Sequence, residues 1–146
     1  MGRGVPMRTI MLSSLALVLS GTALAERSIQ SVLSSEELQK ELFGVHLQGV
    51  AALDETSWSE CVEPGGKTIF SHQGVERTGH MTIRENGLAC FTYEEEGIAS
   101  SNCFSVVRDG VGGYVFSSVT VQSAQFRATS VTRNIKSCPV GPGRTS

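Results

Sequence analysis

The chain has 146 residues, of which 18% are charged, with 12 basic and 14 acidic side chains and a formal net charge of −2. A mildly acidic balance argues against nucleic acid as a partner, which demands clustered positive charge. The length suits one small domain, and with 40% hydrophobic residues it can bury a core.

The first segment has three zones. Arg3 and Arg8 precede the apolar run Ile10 to Ser20, and small residues Ala23 and Ala25 follow. A charged start, a short apolar middle and an A-x-A ending predict a secretory signal peptide over 1–25. The apolar run is short for a bilayer span, which takes about 20 residues, and no cysteine follows to carry a lipid. Cleavage would leave a single β-rich domain over 26–138 that begins at Glu26, with 10 basic against 14 acidic residues once Arg3 and Arg8 are gone. The expected product is soluble and periplasmic or secreted.

Next comes "SSEELQKELFG". Ser34 with Glu37 three positions on forms a capping box, and Gly44 stands where a helix would stop, so a short helix is expected over about 34–43. Leu38, Leu42 and Phe43 give it an apolar edge. From Val45 to Asn134 the chain reads as strands: Val45–Leu53, Trp58–Val62, Lys67–His72, Val75–Arg84, Leu88–Tyr93, Asn102–Val107, Tyr114–Val121 and Gln125–Asn134. Each is short, rich in β-branched or aromatic residues and bounded by turn residues. Turn signals at 64–66, 73–74, 86–87, 96–97 and 109–110 leave no room for helices between them. The fold class is therefore all-β with one short N-terminal helix, an antiparallel meander forming a barrel or sandwich. The tail over 139–146 is expected to be disordered.

The four cysteines all lie in the exported part, where an even count reads as two disulfides. A two-residue turn at Glu96-Gly97 places Cys90 opposite Cys103 in a non-hydrogen-bonded pair, with α-carbons about 4.5 Å apart, within disulfide range. Cys61 is then left for Cys138. The cysteines are scattered, without the close pairs of a zinc site or a C-x-x-C redox motif, and the run Glu94-Glu95-Glu96 lacks the ligand spacing of a calcium loop. No metal or cofactor is expected.

A two-residue turn at Asn86-Gly87 adds a third strand to this register. One face then carries Met81, Ile83, Leu88, Cys90 and Cys103, and the other His80, Ala89, Phe91, Tyr93, Phe104 and Val106. Both faces are partly apolar, so which one is the core stays open. Trp58 reads as a core anchor or as a ring at a barrel mouth. The stretch from Ser117 to Thr132, of high β-propensity and little charge, would allow self-association if it lay at a sheet edge.

In order along the chain stand Glu36-Glu37-Leu38, Gly44 to Gly49, Trp58, Pro64-Gly65-Gly66, Gly79-His80-Met81, Gly87 to Cys90, and Cys103. This pattern resembles a group of small exported proteins of Gram-negative bacteria without an agreed activity, and covers about Ser35 to Val107. Met81 stands where that pattern has tryptophan, and Cys61 and Cys138 are additions. The resemblance implies a periplasmic β-rich domain. A more distant similarity is to lipocalin-like barrels, including small bacterial protease inhibitors.

An enzyme would need a constellation. His46, His72 and His80 are the only histidines. There is no G-x-S-x-G elbow, H-E-x-x-H helix, phosphate loop or dinucleotide fingerprint. The expected function is non-enzymatic: a domain that takes up a small apolar ligand or contacts an envelope protein. Its candidate contacts are Trp58, His80, Phe91, Tyr93 and Phe104. A periplasmic inhibitor or stress-protective protein is the alternative, and a small hydrolase ranks last. A cavity lined by Phe91, Tyr93 and Phe104 would favour the first of these.

Overall fold

A computed structural model describes residues 1–2 and 30–139. The expected signal peptide and the tail beyond residue 139 lie outside the described residues.

Helix α1, Ser35–Glu41, begins at the capping box read from the sequence. The Ser34 hydroxyl accepts from the Glu37 amide at 3.3 Å, and the Glu37 carboxylate accepts from the Ser34 amide at 2.9 Å. Eight strands follow: β1 Val45–Ala51, β2 Ser57–Val62, β3 Lys67–His72, β4 Val75–Arg84, β5 Leu88–Glu95, β6 Ile98–Arg108, β7 Tyr114–Ser118 and β8 Gln125–Arg133. Each pairs antiparallel with the next, and β8 returns to β1, closing a barrel. Closure removes sheet edges. The strand parts of the stretch from Ser117 to Thr132 belong to β7 and β8, each of which has a neighbouring strand on either side. Residues 119–124 form the loop between them, so the stretch does not make an edge strand of the sheet.

The turns explain most of the order. At Gln73-Gly74 and Glu96-Gly97 both central residues take positive φ, the two-residue geometry that matches strand twist. The second turn pairs Cys90 with Cys103 as expected, α-carbons 4.0 Å apart, and a disulfide joins them. A second disulfide joins Cys61 to Cys138. Strand β7 stops at Ser118, short of Val121, because the Ser118 hydroxyl accepts from the amides of Thr120 and Val121 and curls the chain away.

The Asn86-Gly87 register requires correction. The loop spans three residues, Glu85 to Gly87, with Arg84 opposite Leu88 and the Gly87 amide donating to the Arg84 carbonyl at 3.0 Å. Gly87 has positive φ, whereas Asn86 does not, as in a three-residue hairpin with one left-handed residue. One residue of slip turns every β4 side chain over. Met81 and Ile83 therefore join Ala89, Phe91 and Phe104 inside, and Met81 is fully buried. His80 points outward, exposed and opposite Thr92 rather than Tyr93. Burying methionine in place of imidazole decides the register.

Helix α1 plugs one end of the barrel. Leu33, Leu38 and Leu42 share a core cluster with Val45, Val62, Met81 and Val106. Polar ties surround the plug. Arg108 bridges Glu37 at 3.0 Å and Glu41, Tyr114 donates to Glu41 at 2.8 Å, and Arg133 donates to the Tyr114 hydroxyl at 2.7 Å. Burial works against the Glu41 charge, but Arg108 and Tyr114 outweigh it and hold its carboxyl below the ordinary range.

Candidate functional site

Away from the plug the interior is not filled. A cavity of about 220 Å³ lies inside the barrel, lined by Leu47, Trp58, Glu60, Phe70, His72, Arg77, Phe91, Tyr93, Ser100, Asn102, Phe104, Phe116 and Phe126. Strand periodicity places them: Trp58 and Glu60 are two apart on β2, Phe70 and His72 on β3, Phe91 and Tyr93 on β5. The rings pack edge to face or tilted, with centroids 5.6 Å apart for Trp58 and Phe126 and 5.8 Å for Phe70 and Tyr93. Gly79 makes room for this packing. A Cβ there would meet the Thr92 carbonyl at 2.2 Å and the Tyr93 ring at 2.6 Å.

Four of the five residues singled out from the sequence therefore meet at one cavity: Trp58, Phe91, Tyr93 and Phe104. His80 does not, for the register reason given above. Phe70, Phe116 and Phe126 carried no separate signal, because a lone phenylalanine in a strand reads as core. Glu60 was also passed over, although alternation places it on the face of Trp58 and Val62.

Glu60 is 4% exposed and, among the described residues, is the only buried charged residue. The Tyr93 hydroxyl donates to its Oε2 at 2.5 Å. Thr68 Oγ1 lies against its Oε1 and also donates to the Cys61 carbonyl at 2.7 Å. Burial pushes the Glu60 carboxyl up to about 7, against the pull of the Thr68 and Tyr93 hydrogen bonds. Burial, then the neighbouring Glu60, drives the Tyr93 hydroxyl far above its ordinary value. The indole Nε1 of Trp58 is buried and has no hydrogen-bond partner, a state that buried polar groups seldom keep.

The Glu60 shift predicts a pH dependence. Its folded value lies above the ordinary 4.5, so between about 4.5 and 7 the native state holds more protons than the unfolded chain. Stability therefore falls as pH rises through that window, by roughly 3 kcal/mol from this group. Glu60→Gln keeps an acceptor for Tyr93 and removes the titration. Urea midpoints at about pH 5 and pH 8 should converge in the variant relative to the native chain. Parallel pH profiles would show that Glu60 is ionised throughout.

At the mouth, Arg77 Nε donates to Glu95 at 3.4 Å. His72 Nε2 lies 2.7 Å from the Thr56 hydroxyl, which donates to Asp54 at 2.7 Å. A Ser-His-Asp relay sets the carboxylate on one imidazole nitrogen and the hydroxyl on the other. Here the carboxylate takes the hydroxyl proton directly, so the three residues do not form that order. Among the described residues no group of three or more His, Cys, Asp or Glu side chains could hold a metal ion. Nor is any helix among them long and apolar enough to cross a membrane. Two disulfides fit an oxidising compartment. The chain matches no protein-family model, no curated protein and no solved structure.

Proposed function

We propose that the protein is a non-enzymatic, periplasmic or secreted binding protein whose barrel takes up one small, mainly apolar ligand. The observation that carries this reading is the unfilled, ring-lined cavity of about 220 Å³ inside an otherwise well-packed barrel. Barrels of eight strands either fill their interior with side chains or hold one small ligand, and small-molecule sites combine apolar walls with a few placed polar groups. Glu60, Tyr93 and Trp58 Nε1 are such groups. The two disulfides support an exported location, as does the resemblance to small exported proteins of Gram-negative bacteria and, more distantly, to lipocalin-like barrels.

Trp58 is the single tryptophan of the chain, so its emission reports on the cavity. Titration with toluene is expected to shift Trp58 emission saturably at one site and to raise the Tm as ligand concentration rises. An unchanged emission and Tm at saturating toluene would mean that the cavity admits no apolar guest.

A further inference from the structure

We propose that the cavity selects an organic cation, an ammonium group carried on a small hydrocarbon body, with the charge beside Glu60 and the body among Trp58, Phe70, Phe91 and Tyr93. This rests on the reading of the barrel as a receptor and names its ligand class. Glu60 lines the cavity instead of being sealed in packed core. Its ladder neighbours are Leu47 on β1 and Phe70 on β3, and neither carries charge. Its partners are two hydroxyls, Thr68 and Tyr93. No ion pair among the described residues includes it. A buried acid without a cation is costly when ionised, so the protein leaves the countercharge to come from elsewhere. The surrounding rings favour the same sign, because aromatic faces are negative and attract ammonium groups.

The Thr68 hydroxyl has one proton for two acceptors. While Glu60 is neutral, that proton serves the Cys61 carbonyl, 2.7 Å away, and the Glu60 carboxyl supplies its own proton to the contact with Thr68. When a cation enters, the Glu60 proton leaves to solvent, the carboxylate keeps the hydrogen bond from Tyr93, and the Thr68 proton turns from the Cys61 carbonyl to the carboxylate. A second, independent observation also points to a ligand: the buried Trp58 Nε1 has no hydrogen-bond partner, and Trp58 lines the same cavity.

The titratable groups sharing the cavity with Glu60 are Tyr93 on β5, His72 on β3 and Arg77 on β4; β1, β6, β7 and β8 contribute none. Arg77 is tied to Glu95, and His72 to the Thr56–Asp54 pair. Both side chains thus have polar partners of their own at the mouth.

The probes are benzyltrimethylammonium, a permanent cation, and its neutral isostere neopentylbenzene, read by Trp58 emission. At about pH 8 the cation should bind at least about tenfold more tightly than the isostere. That preference should vanish in Glu60→Gln and weaken by about tenfold or more at pH 5.5, where Glu60 is protonated. Binding of the isostere to Glu60→Gln shows that the variant is folded. Equal or tighter binding of the isostere by the native protein would overturn the cation and leave the apolar receptor standing. If neither probe binds, both readings fall.

Discussion

Replacing Cys61 and Cys138 together by alanine should lower stability by about 4–5 kcal/mol, against about 3 kcal/mol for the Cys90 and Cys103 pair. The difference comes from the unfolded chain. The first bond closes a loop with a sequence separation of 77, the second one of 13, and a longer loop restrains more denatured conformations. Cys61 lies on β2 and Cys138 beyond the end of β8, so the bond also fixes the segment that follows the last strand. That segment has few other ties, among them the Cys138 amide donating to Glu63 at 2.9 Å. The β5–β6 hairpin, by contrast, is held by its own ladder and turn. For a small domain the larger loss is a substantial part of the total. Urea midpoints of the two double variants decide the order. A larger loss at the hairpin would show that native contacts, not loop closure, set the contribution.

The second large effect is expected at the plug. Leu38→Ala should destabilise by about 3–5 kcal/mol, toward the upper part of the range for a buried leucine truncated to alanine. Leu38 has no exposed surface and packs in one cluster with Leu33 and Leu42 from the same end of the chain. A helix of 7 residues has little stability of its own and depends on its packed face. The wall behind it is rigid, since strands paired on both sides cannot move inward to fill the space. Loss of the methyl groups should therefore leave a void instead of a relaxed core. Thermal unfolding of Leu38→Ala is the measurement, with Lys40→Ala on the exposed face expected to be nearly neutral. If Leu38→Ala proved as mild as Lys40→Ala, the helix would be a docked accessory instead of the barrel's floor.

How legible this was in the sequence varies with how local the cause is. The capping box, the turns at Gln73-Gly74 and Glu96-Gly97, and the Cys90–Cys103 disulfide follow from residues close in the chain or from a register fixed by one turn, and the Cys61–Cys138 pairing then follows by elimination. Asn86-Gly87 shows the limit. Its dipeptide favours a two-residue turn, but the interior has more to gain from Met81 than from His80, and packing set the loop at three residues. The same competition moved His80 out of the candidate site while leaving Trp58, Phe91, Tyr93 and Phe104 within it.

The Cys90–Cys103 hairpin, the β meander and the helix cap were determined by the sequence alone, because propensity, turn chemistry and period-two alternation act over a few residues. The pairing of β1 with β8, the unfilled space among the rings and the burial of Glu60 beneath Tyr93 were decided only by tertiary structure. Each brings together residues 33 or more positions apart, and no local preference specifies how a closed barrel's side chains share its interior volume.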